Sequence, residues 1–178
     1  MSMINNTLLN EAINDRDIST PSEILYDVRK EIISSLKQSD EGTKDGMDAV
    51  LCCLDPSNMH LSFAAANNPL FHFRNGELTE SKPDRMPVGY LTGEQKPYTQ
   101  HEIALEKGDV VYIFSDGFQD QFGGPKGRKF MIKRLRVLLC EIYSKPMEEQ
   151  KQMLHNTIQE WRGAKEQVDD ILFMGVRF

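Results

Sequence analysis

The run VVYIF, Val110 to Phe114, is apolar at five consecutive positions and leads directly into Ser115-Asp116-Gly117. Side chains along a strand alternate between two faces, so an unbroken apolar run predicts a strand covered on both sides. The chain must therefore supply layers to cover it. The carboxylate at its end must be solvated, paired or bound to a cation, because burying it alone costs several kcal/mol. A second acidic pair, Asp169-Asp170 in QVDDILFMGVRF, opens the last apolar run of the sequence.

Helical periods flank the strand-like segments. Met1, Ile4, Leu8, Leu9 and Ile13 repeat with a helical spacing that begins without a capping box. Thr20, Pro21 and Glu23 predict a boxed N-terminus for a second helix, with Ile24, Leu25, Val28, Ile32, Ile33 and Leu36 along one face. DAVLCCLD and HLSFAAA, joined by PSNM, predict a hairpin, and Asn75-Gly76 predicts a second, tighter one. Residues 82–99, rich in Pro and Gly, read as a surface connection, and a turn at Lys107-Gly108 is expected to separate a further strand from VVYIF. KFMIKRLRVLLCEIY and MEEQKQMLHNTIQEW predict two helices divided by Pro146, the second ended by Gly163, before a last strand from Ile171. This order predicts an α+β fold of mainly antiparallel sheets with flanking helices, without βαβ alternation.

The length of 178 residues suits one domain. Hydrophobic residues at 39% and charged residues at 27% predict a folded, water-soluble body, and a net charge of -6 provides no overall field for nucleic acid or anionic membrane. The local basic run KGRKFMIKRLR reads as a solvated helix face. Cys52, Cys53 and Cys140 lack metal-ligand spacing and read as small buried hydrophobes in a reducing compartment. No apolar stretch approaches the roughly 20 residues that span a bilayer, and no signal-peptide pattern opens the chain. The expected location is the cytoplasm.

Asp116 and Asp169 are the candidate functional residues. Carboxylates without His or Cys beside them suit hard cations, and strand ends are rigid enough to bring two of them to one Mg²⁺ or Mn²⁺. Gly117 would let the backbone turn beside Asp116. On spacing alone, SDG also reads as a turn and DD as a polar strand start. Asp45 and Asp48 read as loop structure near the strand or as support beside the site, Asn67-Asn68 as an Asx-type turn, and Asp120 as a solvated loop acid. His60, His72, His101 and His155 are scattered without ligand spacing, and FGGPKGRK reads as a flexible basic loop in which Lys126 and Arg128 could attract phosphate.

Taken in series, KDGMDAVLCCLD, LSFAAANNPL, MPVGY, GDVVYIFSDGFQDQFGG and VDDILFMGVR resemble the SpoIIE-like (PPM-type) serine phosphatase domains of the protein phosphatase 2C superfamily. The resemblance covers essentially the whole chain. It implies a layered α/β-β/α sandwich and hydrolysis of phosphoserine or phosphothreonine at a two-metal site, with Asp116 and Asp169 as metal-binding catalytic residues and Gly117 and Asp170 beside them. It also implies that residues 1–178 are the C-terminal portion of one such domain, N-terminally truncated. The family's bridging aspartate and its DCTGHG-like turn would precede Met1, leaving at most one weakly held Mn²⁺ or Mg²⁺ and little or no activity. Bared sheet edges then predict self-association. A phosphoprotein substrate, such as an anti-sigma-factor antagonist, and an attached sensor domain are the implied partners, with a regulatory role in bacterial signalling. The competing expectations are a noncatalytic module that binds a phosphoprotein or partner, and a structural domain whose acids serve turns.

Overall fold

The computed structural model describes residues 2–38, 46–92 and 96–178, with side chains from Asn6 onward. These residues gather into two compact units: the chain up to Pro69 together with Lys82–Leu105, and Leu70–Ser81 together with Glu106–Phe178.

In the first unit, α1 (Ser2–Asn10) runs on as a π-helical turn, Glu11–Asp15, and is followed by α2 (Pro21–Ser35). β1 (Gly46–Met47), β2 (Ala49–Asp55) and β3 (His60–Ala66) come next. The predicted hairpin forms, with Ala49 opposite Ala66 and Asp55 opposite His60. Ile24, Leu25, Val28 and Ile32 of α2 bury the predicted stripe with Leu8 and Ala12 against Ala64 and Ala66 of β3. The capping box does not form: Thr20 is extended at the N-cap without a side-chain cap bond. Pro21 has no N–H to cap, and the Ser22 N–H donates to Gln100 Oε1 at 3.1 Å instead. Arg29 is buried, donating from Nε to the Gly89 carbonyl at 2.9 Å and from Nη1 to the Lys96 carbonyl at 3.3 Å.

In the second unit, β4 (Leu70–Arg74) and β5 (Glu77–Ser81) form the second predicted hairpin, with Asn75 and Gly76 at φ 49° and 90°. Positive φ at both turn positions is the two-residue geometry that Asn-Gly favours. In the first unit the chain adds β6 (Val88–Gly89), which pairs with β1, and β7 (His101–Ala104), which extends the sheet to the order β2-β3-β7. The second unit resumes with β8 (Val110–Phe114), the short helix α3 (Gly117–Asp120), β9 (Phe122–Gly123) and β10 (Arg128–Lys129). It ends with α4 (Ile132–Ile142), α5 (Met147–Arg162) and β11 (Phe173–Arg177). Its main sheet has the antiparallel order β11-β8-β4-β5.

β8 lies inside its sheet, and Val110, Val111, Tyr112 and Phe114 are buried with Ile113 half-buried, the two-sided cover that the apolar run predicts. Phe71, Phe73, Tyr112 and Phe114 pack with Leu135, Leu139, Leu154 and Ile158 of the two long helices. The Tyr112 hydroxyl donates to Gln150, tying α5 to the sheet. In both units the expected antiparallel sheets and flanking helices are present. The cysteines depart from expectation: Cys53 and Cys140 are exposed and Cys52 is half-buried, all as free thiols. β2 is an edge strand and Cys140 falls outside the buried stripe of α4, so neither element encloses them. Burial still pushes the Cys52 thiol up to about 11.

The least legible feature is a charged cluster under β4 and β8. Asp109, 1% exposed, accepts from Arg74 Nε at 2.9 Å and Nη2 at 2.6 Å and from the Glu106 N–H at 2.9 Å. His72 Nε2 sits 2.9 Å from the same carboxylate, off the line of a hydrogen bond, as a close polar contact. Burial pushes the Asp109 carboxyl upward, but Arg74, the Glu106 N–H and His72 outweigh it and hold it well below the usual carboxylate range.

Candidate metal centre at the ends of two strands

Antiparallel pairing of Phe114 with Phe173 brings the end of β8 to the start of β11. The pairing continues beyond the strands through one side chain. Ser115 donates its N–H to the Leu172 carbonyl at 3.0 Å, and its hydroxyl accepts from the Leu172 N–H at 2.9 Å while donating to the Asp170 carbonyl at 2.7 Å. The serine of SDG is thus a clasp between the two acidic motifs, a role the sequence reading missed.

Gly117 completes the junction. A Cβ built on it would lie 2.4 Å from the Asp170 carbonyl oxygen and 3.3 Å from that of Asp169. Close approach of two backbones, more than turn freedom, explains glycine here. Gly117→Ala has to push the acidic segments apart and is expected to destabilise the protein by about 1–3 kcal/mol. A thermal midpoint equal to that of the parent would contradict this packing.

Asp116 is half-buried at the N-cap of α3, with its carbonyl accepting from the Asp120 N–H at 2.9 Å and no side-chain cap bond. Asp169 and Asp170 are exposed; Asp169 Oδ1 accepts from the Asp170 N–H at 2.7 Å, and the Asp169 carbonyl accepts from Gln167 Nε2 at 2.8 Å. The segments carrying Asp116, Gly117, Asp169 and Asp170 therefore meet. The donor set of carboxylates fits a hard divalent cation. Among the described residues, no group of three or more His, Cys, Asp and Glu is placed to hold a metal.

The other candidates serve the fold. Asp48 accepts from Asn67 Nδ2 at 2.7 Å, anchoring a residue at φ 62°, so Asn67 uses its side chain across the unit and not in an Asx turn. Asp45 lies outside the described residues. Asp120 is no solvated loop acid: it pairs with Lys129 at 2.6 Å. His60 meets Glu102 at 3.2 Å and His101 stacks on Phe63. FGGPKGRK is not a free loop, because β9 and β10 pair across it.

The comparisons with known proteins agree with this architecture. The family described as stage II sporulation protein E (SpoIIE) matches residues 1–178. The SiaA-PP2C domain of Pseudomonas aeruginosa is 29% identical, with a TM-score of 0.84 over 99% of this chain and 67% of that one. The PP2C phosphatase domain of SpoIIE from Bacillus subtilis, solved with a fragment of its regulatory domain, is 16% identical with a TM-score of 0.73, over 98% of this chain and 48% of that one. RsbX in complex with magnesium is 14% identical with a TM-score of 0.61, over 96% of this chain and 71% of that one. The chain spans about two thirds of the SiaA domain and about half of the SpoIIE structure. No curated protein sequence matches it. The match over every residue places this chain in the SpoIIE family, whose solved relatives are PP2C-type phosphatase domains.

Proposed function

We propose that the chain belongs to a metal-dependent protein serine/threonine phosphatase, with Asp116 and Asp169 holding a divalent cation, Mn²⁺ or Mg²⁺. The observation that carries this reading is the clasp of Ser115 and Gly117 onto Asp169–Leu172 in a chain matched throughout by a phosphatase family. When bound, the cation supplies positive charge to the phosphoryl group and acidifies water near neutral pH. The chain's own residues position that charge. Asp116, just past the end of β8, and Asp169, four residues before β11, would supply the carboxylate oxygens, and Ser115 joins their segments. Gly117 permits the close approach, and Asp170 supports it through its carbonyl.

Phosphoserine or phosphothreonine on a protein is the proposed substrate, and the bacterial relatives SiaA and SpoIIE, the latter a cell fate determinant, support a regulatory role. An anti-sigma-factor antagonist as substrate, control by an attached sensor or by self-association, and a cytoplasmic location belong to the same proposal. Among the described residues no helix is long and apolar enough to cross a membrane. A second reading is a module that binds a phosphoprotein without hydrolysing it. Mn²⁺ uptake together with phosphate release from a phosphoserine peptide separates the two. The phosphatase reading expects Mn²⁺ uptake and at most weak release that rises with Mn²⁺ and stops on chelation; peptide binding by a chain that takes up no Mn²⁺ supports the second.

A further inference from the structure

The β9–β10 hairpin closes one side of a cavity of about 650 Å³ whose charged lining is Lys126, Arg128, Lys129 and Arg134, with no acidic side chain among them. This is a local excess of positive charge on a chain of net charge -6. Lys129 is partly neutralised by Asp120. Lys126, Arg128 and Arg134 are exposed. One wall is Trp161, with the Arg134 guanidinium 4.8 Å from its ring centroid and its indole N–H donating to the Gln121 carbonyl at 3.0 Å.

The hairpin is built around this ring. The Gly124 N–H donates to the Trp161 carbonyl at 2.7 Å. A Cβ on Gly123 would lie 1.8 Å from that carbonyl oxygen, and one on Gly124 would lie 2.6 Å from the ring. The glycines read in sequence as flexibility instead let the basic hairpin sit against the tryptophan. The cavity is therefore preorganised, which lowers the ordering cost of binding.

We propose that this basic cavity beside Trp161 docks an acidic stretch of the protein substrate. The inference rests on the phosphatase reading. Asp116 and Asp169 repel an anionic substrate before a cation is bound, so a separate positive surface would assist encounter and orientation. A cavity of this size takes a few side chains. A nucleic acid would draw on a longer track of phosphate contacts, against the net charge of the chain.

Trp161 is the sole tryptophan, so its emission reports on the cavity. The probes are a hexaglutamate peptide, a hexaserine peptide, inorganic phosphate and a single-stranded oligonucleotide of equal charge. Hexaglutamate is expected to change the emission saturably and hexaserine to leave it unchanged. The double variant Lys126→Glu/Arg128→Glu should weaken that binding by about 10-fold or more. Lys107→Glu, an exposed site outside the cavity, should leave it as in the parent. With an acidic phosphopeptide as substrate and Mn²⁺ present, the double variant should raise KM and leave kcat within about twofold. An unliganded emission spectrum and thermal midpoint like the parent's would establish that the variant folds.

No response to hexaglutamate, an equal response to phosphate, tighter binding of the oligonucleotide, or an unchanged KM would each overturn the proposal. Peptide binding by a parent that takes up no Mn²⁺ would remove the metal-dependent phosphatase reading while leaving an acidic-peptide site. Turnover without peptide binding would do the reverse.

Discussion

Asn in place of Asp116, or in place of Asp169, is expected to lower Mn²⁺-dependent phosphate release by about 10²- to 10³-fold. A cation at the phosphoryl group contributes several kcal/mol of charge stabilisation, and each ~1.4 kcal/mol lost is tenfold in rate. An amide has nearly the shape of the carboxylate but no charge with which to hold the ion. Folding should change little for the Asp169 variant, whose side chain is exposed, and the thermal midpoint checks the half-buried Asp116 variant. Asp170→Asn supplies the contrast. Its carbonyl, accepting from Ser115, is the contact that joins the two motifs, so turnover should stay within a few-fold of the parent. Equal losses in all three variants would contradict the separate roles assigned here. Unaltered release in the Asp116 variant would remove that residue from the site.

Asp109→Asn is expected to cost about 3 kcal/mol of stability, lowering the thermal midpoint by roughly 6–12 °C for a chain of this size. The variant removes the charge that faces Arg74 and His72 within the unit. Arg74 keeps Glu106, 2.9 Å away, which places the cost at the lower end of the range for a broken buried pair. The pH dependence has a definite sign. The folded carboxyl lies below its unfolded value of about 3.9, so its contribution is complete above that pH and disappears as pH falls through the folded value. The stability gap between parent and variant should therefore be constant from about pH 6 to 8 and shrink in strong acid. A gap that widened on acidification would show that Asp109 is not the depressed carboxylate described here.

Much of the fold was legible because local chemistry and packing agree. The all-apolar run at Val110–Phe114 became an interior strand, Asn75-Gly76 formed the tight turn, and the stripe from Ile24 to Ile32 reached the core. The failures occur where a distant partner decides the outcome. Gln100 takes the Ser22 N–H, one of the two that a Thr20 side chain could cap, and the predicted box does not form. Asp109 shows the same limit, since Arg74 and His72 come from a strand more than thirty residues earlier.

At the candidate site, the family resemblance singled out the two acids, but nothing in the sequence showed what joins their segments. Ser115 is an ordinary strand-end serine until Leu172 and Asp170 lie opposite it. Gly117 and the Gly123-Gly124 pair look alike in sequence as turn formers. The first admits the Asp170 backbone and the others admit Trp161, two different packing tasks. The basic run is likewise more than one helix face: Lys126, Arg128 and Lys129 line the cavity from the hairpin side, and Arg134 lines it from α4.

Electron paramagnetic resonance of free Mn²⁺ during titration of the parent, Asp116→Asn and Asp169→Asn proteins is the most direct measurement of the central claim. Two acids joined through the Ser115 clasp should give the parent one weak Mn²⁺ site that neither single variant retains. Binding that survives in both variants would place the cation elsewhere, and undiminished binding in one would show that the two carboxylates do not share it.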